Sequence, residues 1–267
     1  MTKRKLALAV ALAAVGSVWT SAASAAEKTE TMDSYELAPV DVERQRPAAE
    51  EENALVSSTG GTGFLGTKDV MDVPFRQTNI TNKAITQYDD GMNALPNAFL
   101  TSPSVRTSGS TLYNDFSIRG FGMNAYQFKI NGVPGMFTQM NTPANFVERI
   151  EVIAGPAIGI HGTASSESAG GSVNLVTKKA EYGKERITYK QTINARGALG
   201  EIFDIGKRFG KNEQWGVRVS AENIQGKTAI EREKLTTRDF YINVDHKDAR
   251  STTNLFAGYR YKKDEGG

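Results

Sequence analysis

The chain has 267 residues, with 32 Lys and Arg against 30 Asp and Glu, no Cys and two His. The net charge of +2 gives no indication of a nucleic-acid-binding surface. The absence of Cys excludes disulfides, thiolate nucleophiles and Cys zinc sites. The two His, His161 and His246, leave little for a His metal centre or a Ser-His-Asp hydrolase. The 26 Gly against 8 Pro favour the tight turns of strand-rich proteins.

The first 26 residues have the pattern of an export signal. Lys3, Arg4 and Lys5 precede an apolar run from Leu6 to Val18, and Ala23-Ser24-Ala25 provides a small-residue cleavage site. The apolar run is short for a membrane span, although an N-terminal anchor is the alternative interpretation. We therefore predict a signal peptide over residues 1–26 and an exported mature protein.

Residues 27–60 form an acidic segment with few aromatic residues, and we expect it to be flexible. It contains one short apolar stretch, from Tyr35 to Val42, which is suited to strand addition on a partner's sheet edge. A linker with chance apolar residues explains the same stretch equally well. The following Gly61–Gly66 matches G-x-G-x-x-G, but it lacks the preceding strand and following helix of a dinucleotide site.

Residues 61–180 have the pattern of a compact domain that mixes helices and strands. Spacing predicts a helix within 88–100 that Pro96 interrupts, and alternation predicts strands over 115–119, 127–130 and 172–177. Asn131-Gly132 is a hairpin turn signal. We interpret Phe146–Ile153 as a short helix that passes into a strand.

The period of the pattern changes to two over residues 181–267. Five segments alternate apolar and polar residues, as in Trp215, Val217, Val219 and Ala221 against Arg218, Ser220 and Glu222. Strands of this length, apolar on one face and charged on the other, are typical of outer-membrane barrels. A soluble antiparallel sheet shows the same alternation, but the export signal favours the barrel.

Short motifs in a fixed order carry a family resemblance. They are Leu37–Val42, Asp72–Phe75, Leu95–Val105, Phe116–Phe121, Asn131–Val133, Glu148–Val152 followed by Gly155-Pro156-Ala157, and Gly170–Lys178. In this series the chain resembles the N-terminal third of a TonB-dependent outer-membrane receptor of the ferric-siderophore type. It departs from the family at Ala154, where a basic residue is common, and at Asn131 and Ser104, where Asp and Gly are usual.

The resemblance implies an α+β plug domain followed by the first antiparallel strands of a transmembrane β-barrel of about 22 strands. Residues 61–180 would form the plug, and 181–267 would hold about five strands of the barrel. Five strands cannot close a barrel, so we expect an N-terminal fragment with an incomplete barrel.

The implied function is transport and not catalysis. A ferric siderophore would bind the outward loops of the plug and be imported with energy from TonB, a transducer of the inner membrane. TonB would add a strand to the TonB box, which comprises Glu36, Leu37, Ala38, Pro39, Val40, Asp41 and Val42. The expected location is the cell outer membrane, with its lipid as a further partner and no nucleic acid. No cofactor, metal site or catalytic residue is expected, since the ferric chelate is the transported ligand.

The resemblance also implies two sets of site residues. The expected ligand-binding residues lie in three loops and are Arg106, Tyr113, Met123, Asn124, Tyr126, Phe137, Gln139 and Met140. The expected contacts between plug and barrel are Arg119, Glu148, Arg149 and Glu151. A receptor for haem, cobalamin or a glycan would share the plug motifs, and a non-functional truncated fragment is a further alternative. A signal-transducing receptor would need an additional domain before the TonB box.

Overall fold

The computed structural model describes residues 54–87, 94–107, 113, 115–140, 144–156, 169–193, 197–228 and 230–266. All of them belong to one compact unit, residues 45–267. The signal peptide, the TonB box and His161 therefore lie outside the described residues. No helix among the described residues is long and apolar enough to cross a membrane.

A six-stranded sheet organises the first part of the described chain. Its strands are β1 (Val56–Ser57), β4 (Arg76–Thr81), β8 (Lys129–Ile130), β9 (Val133–Pro134), β10 (Val147–Ala154) and β11 (Gly171–Thr177). They lie in the order β1-β4-β10-β11-β8-β9, and only the β11–β8 pair is parallel. Val56 and Ser57 lie in the segment that we predicted to be flexible, but in the structure they pair with β4.

The central strand β10 corrects the prediction of a short helix in Phe146–Ile153. This segment is a strand from Val147 onward, and Phe146 lies in the turn before it. Strands β4 and β11 pair with the two edges of β10. Every residue from Ile150 to Ala154 is buried. A strand covered on both faces loses the alternation that identifies half-buried strands, which explains the error.

Two short helices, α1 (Asn82–Gln87) and α2 (Ala94–Phe99), pack beside this sheet. The predicted interruption at Pro96 is absent, because α2 includes this residue. In the described chain Pro96 lies in the first turn of α2, where a backbone N–H has no partner within the helix. Proline is tolerated at such a position, and Pro96 is buried.

Two small sheets complete this region. The strands are β2 (Thr59–Gly61) with β3 (Thr67–Asp69), and β5 (Val105–Thr107) with β6 (Asp115–Ile118) and β7 (Phe121–Asn124). Strand β6 and its neighbours contribute to an aromatic cluster in the core. Phe116 lies 4.7 Å from Phe99 and 5.2 Å from Phe128 between ring centroids, and Phe128 lies 5.5 Å from Phe137.

The predicted turn at Asn131-Gly132 is confirmed. It joins β8 to β9 with two residues, and the φ angles are 51° at Asn131 and 82° at Gly132. Two successive positive φ angles are the geometry of the hairpin turns that favour Asn-Gly. The turn therefore forms for local reasons, whatever packs against it.

The last part of the described chain is a five-stranded antiparallel meander. Its strands are β12 (Arg186–Ile193), β13 (Leu199–Phe209), β14 (Trp215–Lys227), β15 (Lys234–Lys247) and β16 (Thr252–Glu265). The five predicted strands are confirmed, and each pairs with the next along the chain. In the turn after β15, the Asp248 carboxylate accepts the N–H groups of Arg250 and Ser251, which lowers the pKa of that carboxyl.

This meander buries its polar face and exposes its apolar face, which is the reverse of a soluble sheet. The buried face carries polar residues, among them Asp204, Arg208, Arg218, Glu222, Asp239 and Asp245. The exposed face carries large apolar residues, among them Phe203, Ile205, Phe209, Trp215, Phe240, Leu255 and Tyr259. Outward apolar and inward polar alternation is the pattern of membrane barrels. The structure thus holds an α+β region followed by antiparallel strands with the alternation of a membrane barrel. We call the described residues before β12 the plug region, after the family that the sequence resembles.

Truncation of the aromatic cluster should destabilise the plug region strongly. Phe128→Ala removes a fully buried ring, and we expect the free energy of unfolding to fall by about 3–5 kcal/mol. Phe121→Ala on β7 is the matched control, because Phe121 is exposed and its loss should cost less than about 0.5 kcal/mol. Denaturant unfolding of both variants in detergent micelles measures the difference. Equal losses would contradict the assigned core.

Candidate functional site

Two of the predicted ligand-binding residues meet on the surface of the plug region. Tyr113 and Met140 form an isolated antiparallel bridge, although they are far apart in sequence. Their side chains are 40% and 42% exposed. An exposed aromatic ring beside a flexible thioether gives an apolar surface that adapts to a rigid ligand.

A second pair, Asn124 and Tyr126, is held in place at the end of β7. The Asn124 side-chain amide donates to the Tyr126 hydroxyl at 3.1 Å, and the Asn124 backbone N–H donates to the Gln127 side chain at 2.8 Å. These bonds surround a single 3₁₀ turn, Ala125–Gln127. Tyr126 is thereby exposed on a defined turn.

Arg106 and Gln139 are also exposed. Arg106 lies in the middle of β5, which belongs to the same three-stranded sheet as Asn124. Gln139 directly precedes Met140. The surface set therefore comprises Arg106, Tyr113, Asn124, Tyr126, Gln139 and Met140.

The other two predicted ligand-binding residues lie in the core. Met123 is 3% exposed and Phe137 is 7% exposed. Met123 pairs with Phe116 across β6 and β7, and the Phe137 ring packs on Phe128. The alternation of β7 turns Met123 inward between two neighbours that face outward. In this structure the two side chains support the surface from beneath.

A cavity of about 220 Å³ lies between the plug region and the last two strands. Phe137, Phe146, Tyr241, Phe256 and Arg260 are among the residues that line it. The Phe146 ring packs on Tyr241 at 4.3 Å and on Phe256 at 5.5 Å between centroids. The cavity therefore lies beside an aromatic contact that joins plug to strand.

The four residues predicted to join plug and barrel have different surroundings. Arg149 donates to Glu151 from Nε at 3.0 Å and from Nη2 at 2.8 Å, so these two charges pair inside the plug region. Glu148 is exposed on β10. Arg119 is exposed in the β6–β7 turn with a φ angle of 52°.

The strongest polar contact between plug and strands was not predicted. Lys178 Nζ donates to Asp204 Oδ2 at 3.0 Å, and Arg218 donates to both oxygens of the same carboxylate. All three side chains are buried. Lys178 directly follows β11, while Asp204 and Arg218 lie on β13 and β14. We call these three residues the junction cluster.

Further contacts extend from the junction cluster along the same face. Arg208 donates to Asp245 at 2.8 Å and to the Ala180 carbonyl at 2.9 Å, and its guanidinium lies 3.9 Å from the centre of the Tyr182 ring. Asn243 donates to Thr177 Oγ1 at 2.6 Å. Arg218 of β14 also donates to the Lys179 carbonyl at 3.5 Å, so the end of β11 and the residues after it are bonded to three successive strands.

A signal for these contacts exists in the sequence. Asp204, Arg208, Arg218, Asn243 and Asp245 all occupy inward positions of period-two strands. The alternation identifies the polar face, but it does not tell which plug residues meet it. Among the described residues, no group of three or more His, Asp or Glu side chains is placed to hold a metal ion.

Loss of the Asp204 carboxylate should destabilise the junction. Asp204→Asn leaves the charge of Lys178 buried without its counter-ion and leaves Arg218 with only the Glu181 carboxylate at 3.7 Å, and we expect a loss of about 3–5 kcal/mol in the free energy of unfolding. Glu185→Gln is the control, because Glu185 pairs with Lys207 on the exposed surface and should contribute less than about 1 kcal/mol. Denaturant titration in micelles compares the two variants. A junction variant as stable as the control would contradict the importance of the cluster.

Comparison with known proteins finds a family model and several proteins that are similar to this chain. The family model described as the TonB-dependent receptor plug domain matches residues 69–171. That range runs from the last residue of β3 to the first residue of β11. Among curated proteins, the chain is similar to the ferrichrome receptor FcuA of Yersinia enterocolitica. The identity is 31% over 211 residues, which cover 77% of this chain and 27% of that protein.

Two solved structures are similar as well. The ferric preacinetobactin receptor BauA of Acinetobacter baumannii matches with a TM-score of 0.72 and 28% identity, over 77% of this chain and 31% of that chain. The pyoverdine outer membrane receptor FpvA of Pseudomonas aeruginosa matches with a TM-score of 0.69 and 16% identity, over 81% and 32%. The second likeness concerns the fold alone. The chain spans between 27% and 32% of the length of these three relatives.

Proposed function

Since the chain carries the plug domain of the TonB-dependent receptors, we propose that it acts in an outer-membrane receptor that binds a ferric siderophore and imports it with energy from TonB. The observation that carries this proposal is the inverted sheet. Its polar face is bonded to the plug and its apolar face is exposed, as a strand sheet in lipid requires. The relatives at 31% and 28% identity are receptors for ferrichrome and ferric preacinetobactin, which supports a ferric siderophore as the ligand.

The proposed binding surface consists of Arg106, Tyr113, Asn124, Tyr126, Gln139 and Met140, all partly or fully exposed. Two tyrosines and a methionine provide apolar contact, and Asn124 and Gln139 provide hydrogen bonds. Arg106 adds a positive charge that favours an anionic chelate. Because the chelator itself saturates the iron, the protein needs no ligand to the metal.

Energy coupling in this proposal uses residues 36–42, which lie outside the described residues. A strand added to the transducer's sheet is held by main-chain hydrogen bonds, so side chains matter less than backbone groups. Residues 43–53 connect this segment to Ala54, and at full extension the connection spans at most about 40 Å. The glutamates and arginines between them suit a solvated tether.

Binding should depend on the surface set. In cells that produce the receptor, Arg106→Ala or Tyr126→Ala should weaken binding of the cognate ferric siderophore by about 1–3 kcal/mol, which is about 5- to 150-fold in affinity. Met71→Ala is the control, since Met71 is an exposed apolar residue outside the set. Equilibrium binding of a panel of labelled ferric siderophores, with haem and cobalamin beside them, measures both affinity and ligand class. Binding of haem or cobalamin alone would contradict the siderophore assignment, and full affinity in both variants would contradict the surface.

Coupling should depend on the backbone of the TonB box. Val40→Pro removes one N–H and fixes φ, so the added strand should fail and uptake should stop while binding persists. Val40→Ala keeps the N–H group and should transport almost normally. Paired measurements of binding and uptake separate the two steps. Equal uptake by both variants would show that the coupling segment lies elsewhere.

A further inference from the structure

The polar residues of β4 form a row beneath the N-terminal end of the described chain. Gln77, Asn79 and Thr81 share one face of β4, while Ile80 is buried in the core from the other. Thr81 Oγ1 donates to the Ala54 carbonyl at 2.6 Å, and Gln77 Nε2 donates to the Gly61 carbonyl at 3.0 Å. Residues 54–61, which we call the N-terminal segment, are therefore held by these side-chain bonds in addition to the pairing of β1 with β4 and the packing of Leu55 on the core.

Glu151 holds this segment from the neighbouring strand. Its Oε1 accepts the Gly61 backbone N–H at 2.6 Å, and it also accepts both Arg149 bonds described above. Its Oε2 accepts the Asn174 amide at 2.8 Å. A carboxylate that is 3% exposed thus lies between the N-terminal segment and the centre of the sheet. Hydrogen bonds to a charged acceptor are stronger than neutral ones.

The fit between Gly61 and Glu151 leaves no room for a side chain. A Cβ at Gly61 would lie 2.9 Å from Glu151 Oε2, and one at Gly60 would lie 2.2 Å from the Asn79 side chain. Glycine at both positions therefore permits the close approach that the hydrogen bonds need. The contact is shaped from both sides, by a buried carboxylate and by two residues without side chains.

Asn174 extends the contact toward the β8–β9 turn. Its Oδ1 accepts the Gly132 N–H at 2.8 Å, while its amide is bonded to Glu151. Asn131 in the same turn donates to Asn254 of β16 at 3.4 Å. The bonds around Glu151 are thus continuous with the contacts between plug and strands.

From this geometry we propose that Glu151 is a positioning residue that latches the N-terminal segment onto the sheet. The consequence for transport rests on the proposed function, since the segment leads to the TonB box. While the latch is closed, the segment is held at both ends, at Ala54 by Thr81 and at Gly61 by Glu151. When the latch opens, only the pairing of β1 with β4 and the Thr81 bond hold the segment, and its full release would lengthen the reach by about 27 Å.

Thiol labelling tests the latch on the full chain in detergent micelles, and it requires no siderophore. The chain has no native Cys, so one introduced thiol reports from one place. Ser57→Cys places it in the buried part of the N-terminal segment. Ser102→Cys places it after α2, where Ser102 is 1% exposed, and reports unfolding of the core.

Glu151→Gln and Gly61→Ala should each raise the labelling rate of the Ser57→Cys protein by about tenfold or more, the factor that 1.4 kcal/mol gives. Glu151→Gln changes the acceptor from a carboxylate to an amide. Gly61→Ala adds a Cβ that displaces the Glu151 carboxylate without altering its charge. Neither should change the Ser102→Cys rate more than about twofold. Glu148→Gln is the matched control, since it removes an exposed charge from the same strand and should leave both rates unchanged.

An equal rise at both reporters would overturn the proposal, because Glu151 would then contribute only to global stability. Unchanged labelling at Ser57→Cys in both variants would overturn it as well. A receptor that binds no ferric siderophore would refute the proposed function and leave the labelling result standing. Conversely, unchanged labelling rates together with intact siderophore binding would overturn the latch proposal and leave the proposed function standing.

Discussion

The structure depends on how the polar face of the five-stranded sheet is satisfied. Charges withdrawn from water are costly unless they are paired and hydrogen-bonded, and this face buries several of them. Asp204 meets this requirement by accepting bonds from Lys178 and Arg218 together. The polar face of the sheet therefore needs the plug, and the segment after β11 is the point where they meet.

This requirement explains why the plug and the sheet are stabilised in different ways. The plug has an apolar core of its own, centred on the aromatic cluster and on β10. Among the described residues, the sheet's own buried apolar cluster consists of Ala198, Ile224 and Leu235, while its Tyr241 belongs to the core of the plug. Its remaining order comes from strand pairing and from the polar contacts of its buried face. The plug is thus the region with the larger independent stability.

The sequence predicted the fold best where the local pattern is simple. All five outer strands and the Asn131-Gly132 turn follow from period-two alternation and from turn chemistry, which are local properties. The prediction failed at Phe146–Ile153, because burial on both faces removed the periodic signal. It also failed at Pro96, where the position of the helix start decides whether proline is tolerated.

The site residues were harder to predict because they depend on pairing between distant segments. Tyr113 and Met140 were named from separate loops, and only the fold brings them together. Arg149 and Glu151 were predicted to contact the barrel, and their spacing of two on one strand also places both on one face and allows them to pair with each other. Lys178 was not predicted as a site residue, since nothing in the sequence around it indicates that Asp204 lies opposite. Motif resemblance identifies the segments, whereas the partner of each charge depends on register.

The aromatic pair at one end of the sheet has a consequence for its depth in a bilayer. Phe209 ends β13, Trp215 begins β14, and the two are register partners beside the connecting turn. The His246 ring packs on Trp215 at a tilt of 44°, with the ring centroids 4.4 Å apart. Aromatic rings prefer the boundary between hydrocarbon and headgroups. In the proposed outer-membrane receptor, this corner would therefore lie at the boundary of the hydrocarbon, and the lengths of β13 and β14 set how far the opposite loops extend from that boundary.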